Sequence, residues 1–246
     1  MKLTDIIPVL ETIAPPEYAE EFDTGRIGDI INLGNDVEKI AVALDPTEYV
    51  LKRAADIDAD LLITHHTLIF EPVTKIAKPF SNKLKIVLEN DISLYSMHTN
   101  YDKVPGGVND ILANCLGLTD IEGLEIGRIG KISPCSTETF ARHVSKSLDT
   151  HVQYVGDKKT IEKVMVFGGS GFRPQFLDIA HENDVDAFVS SELKHDVIRN
   201  RGSISLIDAT HYATENPAME KLCERLEELL KLDVEFIDHN PFINVV

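Results

Sequence analysis

The chain repeats itself. Val37-Glu38-Lys39-Ile40-Ala41-Val42 is echoed by Ile161-Glu162-Lys163-Val164-Met165-Val166, and Asp60-Leu61-Leu62-Ile63-Thr64 by Asp186-Ala187-Phe188-Val189-Ser190. Ile92-Ser93-Leu94 returns as Ile204-Ser205-Leu206, and a histidine follows in each copy, His98 and His211. Matches in one order, about 110–125 residues apart, point to two related halves rather than a short-period solenoid. Short β-branched runs at 40–44, 61–64 and 92–97 read as buried strands, with helical patterns at 49–57 and 82–90 between them. That alternation predicts an α/β fold of two duplicated, closely packed halves with mostly parallel mixed sheets. The division is expected near 125/126, giving halves 1–125 and 126–246, with interleaving left open.

Between the repeats, 124–132 reads as a strand containing Gly127 and Gly130, 108–116 and 137–148 as helices, and 151–155 as a strand. Met219, Leu222, Leu226, Leu229 and Leu230 form one apolar stripe, the mark of a last helix. Pro217 is expected in its first turn, where a missing N–H costs least.

The 246 residues are 43% hydrophobic, enough for a sizeable core, yet no apolar run reaches the roughly 18 residues of a membrane span. The first residues lack the pattern of a signal peptide, so a cytoplasmic protein without membrane partners is expected. Cys115, Cys135 and Cys223 are far apart and odd in number, which reads as small buried hydrophobes rather than a disulfide or zinc framework. A formal net charge of −17 weighs against nucleic-acid binding without excluding a local basic patch.

Chemistry gathers after the strands. His65 and His66 end the run 61–64, and ligands bind beyond the carboxyl ends of strands in open α/β sheets. On a regular strand adjacent rings face opposite ways, so both reach one site only where the strand gives way to a loop. Alone, the pair reads equally as one core histidine and one exposed one. His98-Thr99-Asn100-Tyr101-Asp102 follows the next strand. There Asp102 can bridge two ions and His98 can ligate or orient a ligand, although Asn100 and Asp102 also suit a turn. After 204–208 come His211 and Glu215, which share a face if the segment coils. Together these five N/O donors, with no thiolate, are too many for one catalytic zinc with an open position. They suit two divalent ions, Zn, Mn, Fe, Co or Ni, sharing a carboxylate. Glu192 and His195, after the strand equivalent to 61–64, are candidates for general acid–base work beside His98, or else belong to a polar helix start capped by Ser190 or Ser191. Gly168-Gly169-Ser170-Gly171 reads as a tight turn, with phosphate contact as the alternative; it lacks the Walker lysine.

The motifs Leu62-Ile63-Thr64-His65-His66, His98-Thr99-Asn100-Tyr101-Asp102 and His211-Tyr212-Ala213-Thr214-Glu215 resemble those of the Nif-three-like family, also labelled GTP cyclohydrolase type 2 homologues or dinuclear-metal-centre hexameric proteins. The resemblance covers nearly the whole chain, in the compact form without an inserted middle domain. It implies His65, His66, Asp102, His211 and Glu215 as metal ligands and a ring-shaped homohexamer with sites facing an internal cavity. It also implies metal-assisted hydrolysis of a nucleotide such as GTP, in which a metal-bound hydroxide attacks C8 of guanine and a carboxylate or histidine shuttles protons. A metal-binding scaffold or regulatory partner without turnover is the alternative, and metal storage or delivery a third. Departures from the family pattern are Thr67 for the usual Pro, Thr210 for the usual Gly, and Phe22-Asp23-Thr24-Gly25-Arg26 for Trp-Asp-x-x-Gly-Leu. Arg26 thereby adds a charge where the pattern is apolar.

Overall fold

The computed structural model describes residues 1–241, 243 and 244. The described residues divide into two compact units, 1–104 with 218–241, and 105–217. The division is interleaved and differs from a single cut at 125/126.

In the first unit the strands are β1 (Gly28–Ile31), β2 (Lys39–Ala43), β3 (Leu61–Thr64), β4 (Ser93–Ser96) and, from the far end of the chain, β11 (Asp233–Phe236). Their order is β1-β4-β3-β2-β11, parallel except for β1. The helices are α1 (Leu3–Ile13), α2 (Glu48–Asp56), α3 (Lys78–Glu89) and the short α4 (Thr99–Lys103). Every residue of β3 is buried, the continuous apolar run of a strand covered on both faces. Leu61, Leu62 and Ile63 each contribute about 1.5–3 kcal/mol by leaving water. Thr47 caps α2 by accepting the Val50 N–H at 3.2 Å.

In the second unit, α5 (Val108–Cys115) precedes β5 (Thr119–Gly123), β6 (Arg128–Cys135), α6 (Thr137–Ser147) and β7 (Gln153–Val155). Then come β8 (Ile161–Val166), α7 (Pro174–Glu182), β9 (Ala187–Ser190), α8 (His195–Asn200), β10 (Ser205–Asp208) and α9 (His211–Leu230), whose residues from 218 onward are counted with the first unit. The sheet order is β5-β6-β8-β9-β10-β7, with β8, β9 and β10 parallel and the rest antiparallel.

The duplication is visible bond by bond. Asp60 accepts the N–H groups of Glu38 and Lys39 at 2.8 and 3.0 Å. Asp186 does the same for Glu162 and Lys163 at 2.9 and 3.1 Å. Each aspartate thus ties the start of one parallel strand to its neighbour, and Ser93 and Ser205 donate in turn to the Asp60 and Asp186 carbonyls.

Several expectations need correction. The stretch 124–132 is not one strand: β5 ends at Gly123 and β6 starts at Arg128, with a turn in which Leu124 N–H donates to the Gly127 carbonyl. Gly127 has φ +91°, and a Cβ there would lie 2.9 Å from the Val166 carbonyl, so glycine is required. Pro217 is not in the first turn of its helix, because α9 starts at His211 and carries the proline inside it. Only Cys223 of the three cysteines is buried; Cys115 is exposed and Cys135 intermediate. Ser190 and Ser191 do not cap α8, which opens at His195 behind Lys194; their hydroxyls donate to the Gly169 carbonyl instead. No helix among the described residues is long and apolar enough to cross a membrane.

Candidate metal centre

In the first unit the ends of β2, β3 and β4 bring three imidazoles together. As β3 ends, the Thr64 hydroxyl donates to the His66 carbonyl at 2.7 Å and the His66 N–H donates to Leu44 at 3.0 Å. This breaks the strand's alternation, so both rings of the pair turn to one side. Ring centroids lie 5.0 Å apart for His65–His66, 5.1 Å for His65–His98 and 5.6 Å for His66–His98. One nitrogen from each falls within 4.8 Å of the others. His98 precedes α4, whose first turn carries Asp102, with the Asp102 N–H donating to the His98 carbonyl at 3.1 Å. Asp102 Oδ1 is 3.6 Å from His65 Nε2, too long for a hydrogen bond between the two. It suits two ligands of one ion: bonds of about 2.0–2.2 Å at tetrahedral angles put donor atoms roughly 3.4 Å apart.

The tautomers follow from the partners. His65 Nδ1 donates to the Met97 carbonyl at 2.8 Å, His66 Nδ1 to Asp45 at 2.8 Å and His98 Nδ1 to Asp23 at 2.8 Å. A carbonyl or carboxylate only accepts, so each Nδ1 carries a proton, and in the neutral ring the lone pair falls at Nε2. This is the arrangement that orients metal-binding histidines. Asp23 is wholly buried and also accepts the Thr99 N–H at 3.1 Å and its hydroxyl. Burial opposes its ionised form, but the hydrogen bond and charge of His98, with the Thr99 bonds, outweigh burial and hold its carboxyl below the usual range.

The second unit holds the other cluster. His211 opens α9 and Glu215 lies one turn on, with Nε2 and Oε2 3.0 Å apart and Glu215 buried. His211 Nδ1 donates to Glu192 at 2.8 Å, the same device again. The His211 hydrogen bond, supported by Ser170 and against the opposing effect of burial, lowers the Glu192 carboxyl. Glu192 and Thr210 take φ +59° and +67°. A left-handed threonine is costly, and such strain gathers at functional sites. Thr210 is held there by its N–H to Asp208 at 3.0 Å and its hydroxyl 3.2 Å from that of Thr150. A cavity of about 590 Å³ opens against His211 and Glu192, lined also by His151, Gln153, Asp208 and Thr210.

The glycine run resolves as a packing device. Gly168, Gly169 and Gly171 give their N–H groups to Asn109, Thr214 and Ser190 at 2.8, 2.9 and 2.9 Å, so these donors are engaged by side chains rather than arranged for a phosphate. A Cβ on Gly169 would overlap the Glu215 carboxylate.

A sequence profile described as Duf34/NIF3 (NGG1p interacting factor 3) matches residues 1–241. The chain belongs to the NIF3 family. A Methanocaldococcus jannaschii relative named "GTP cyclohydrolase 1 type 2 homolog" is 34% identical, over 97% of this chain and 100% of its own length. A Clostridium perfringens protein of the same name is 31% identical, over 96% and 95%. The solved structure of reduced HcgD from Methanocaldococcus jannaschii superposes with a TM-score of 0.86 at 33% identity, covering 97% of this chain and 98% of that one. Within this NIF3 fold, the residues singled out in sequence fall into place unevenly. His65, His66 and Asp102 share one cluster with His98, and His211 and Glu215 form the other. Glu192 is engaged with His211. His195 is exposed at the start of α8 and belongs to none of the donor groupings among the described residues. Sequence reasoning missed the roles of Asp23 and Asp45. The signal for Asp45 is a carboxylate directly after a repeated strand, the placement that singled out the candidate donors.

Proposed function

We propose that this chain is a metal-dependent hydrolase in which His65, His66, Asp102, His211 and Glu215 hold two divalent ions, with His98 completing the donor set. The observation that carries this reading is the shared orientation of the histidines. His65, His66, His98 and His211 each deliver the Nδ1 proton to a carbonyl or carboxylate and present Nε2 as a donor. Neutral imidazole and carboxylate without thiolate suit Zn, Mn, Fe, Co or Ni. Bound there, such ions would supply Lewis acidity and an activated water at neutral pH.

The chain's own residues do the positioning. Asp45, Asp23 and Glu192 fix ring orientation and tautomer. With Oε1 committed to His211, Glu192 serves as a positioning residue rather than a general base. The cavity beside His211 gives room for a small organic substrate. The relatives' name favours a nucleotide such as GTP.

Elemental analysis of gently purified protein, with a His65→Ala control, tests the centre. About two ions per chain, lost together with GTP ring-opening in the control, supports it. A metal-free variant with full activity, or a wild-type chain that takes up no Zn or Mn, refutes it. Metal uptake that changes stability but drives no turnover of nucleotides or phosphoesters selects the scaffold reading. Sedimentation of the same preparation tests the expected homohexamer.

A further inference from the structure

The surroundings of Arg26 are specific. Its guanidinium lies 4.1 Å from the centroid of the Phe70 ring. Nη2 meets Glu71 Oε1 at 2.9 Å, and among the described residues Nε and Nη1 engage no side chain. The Arg26 side chain is 19% exposed, while that of Glu71 is 72% exposed. A guanidinium offers five donors in a planar fork matched to phosphate and carboxylate oxygens, and here most of the fork is unspent. The aromatic face fixes its plane in advance. The carboxylate that touches it does so at a single point from a largely solvated side chain, and exposed pairs of that kind contribute little.

The position matters as much as the chemistry. The Arg26 N–H donates to the Asp23 carbonyl at 2.8 Å, and the Asp23 carboxylate holds His98. Phe70 and Glu71 lie in the loop that leaves His66. The guanidinium therefore sits a short length of chain from two of the clustered histidines. A protein of net charge −17 repels anions at long range, so an anionic ligand needs a local cationic receptor.

We propose that Arg26 is a receptor for a phosphoryl group of the ligand, and that the Glu71 carboxylate occupies this receptor until the ligand displaces it. The inference deepens the hydrolase reading, on which the link to a substrate rests, while anion binding itself is measurable without turnover.

Calorimetric titration with inorganic phosphate, on chelator-treated and on metal-loaded protein, tests it. In the chelator-treated protein, Arg26→Leu is expected to weaken phosphate binding about tenfold or more, and Arg26→Lys to fall between, keeping charge but losing the fork. Glu71→Gln is expected to tighten it by roughly three- to tenfold, because an internal competitor is gone. A clamp that only pins the loop predicts the opposite for Glu71→Gln: a lower melting temperature and no gain in affinity. Phosphate binding unchanged in Arg26→Leu, no gain in Glu71→Gln, or no binding by either wild type or Glu71→Gln would overturn the proposal. If Arg26→Leu does not fold, the Lys and Gln variants decide. Failure of metal uptake with this phosphate pattern intact would remove the metal reading and leave the receptor standing.

Discussion

Glu192 Oε1 accepts the Nδ1 proton of His211 at 2.8 Å, from a backbone held at φ +59°. The left-handed turn after β9 brings a carboxylate back to a ring on α9, and the ring's other nitrogen faces Glu215 at 3.0 Å. Losing such a partner weakens metal binding without removing a ligand. Glu192→Gln is therefore expected to lower metal affinity about 10- to 100-fold, read by competition with a chelator of known affinity. An unchanged affinity would mean that the charge of Glu192 does not tune the centre through His211.

Asp23 presents a sharper case, because it is wholly buried and satisfies His98 and Thr99 together. Asp23→Asn keeps the shape but places an NH₂ or a neutral oxygen against three donors, the His98 ring and the Thr99 N–H and hydroxyl. A loss of about 2–4 kcal/mol in urea denaturation is expected, together with weaker metal binding. Loss of stability with metal affinity intact would assign Asp23 to the scaffold alone.

What could be read from the sequence, and what could not, divides along distance in the chain. The parallel strands were legible because pattern and position coincide locally: an apolar run, with His65-His66, His98 or His211 standing directly after it. The partners that orient those rings were not. Asp23 meets His98 across 75 residues and Asp45 meets His66 across 21, and no local period announces either contact. The proline rule failed in α9 for a related reason. Pro217 removes one intrahelical bond and crowds the carbonyl of Ala213, which argues locally for a helix start. Yet buried Met219, Leu222 and Leu226 on one side of it and Ala213 and Glu215 on the other show that packing overrides that cost. The strain at Thr210 became visible only with its φ of +67°.

Gly169 is expected to tolerate no side chain. Its φ is +67°, and a Cβ would overlap Glu215 and lie 2.9 Å from His211 Nε2. Gly169→Ala should cost about 2 kcal/mol or more, from backbone strain and displacement of Glu215. If Glu215 is a ligand, elemental analysis of the folded variant will find less metal per chain than in wild type. A full complement of metal in that variant would exclude Glu215 from the site.

Asp186 lies away from the donor clusters and gives a pH signature of the fold itself. Burial raises its carboxyl, but the Lys158 ammonium at 2.7 Å and the N–H groups of Glu162 and Lys163 outweigh that and hold it below the ordinary value of 3.8. A carboxyl depressed on folding contributes stability that is fully present above its unfolded pKa, about 3.9, and is lost as pH falls through the lower folded value. Asp186→Asn should therefore cost about 1–2 kcal/mol at neutral pH, with the gap to wild type closing in that acidic window. Urea midpoints measured from pH 7 downward check this. A gap that stays constant into acid would show that the loss comes from packing or geometry, and that the charge of Asp186 does not join β8 to β9.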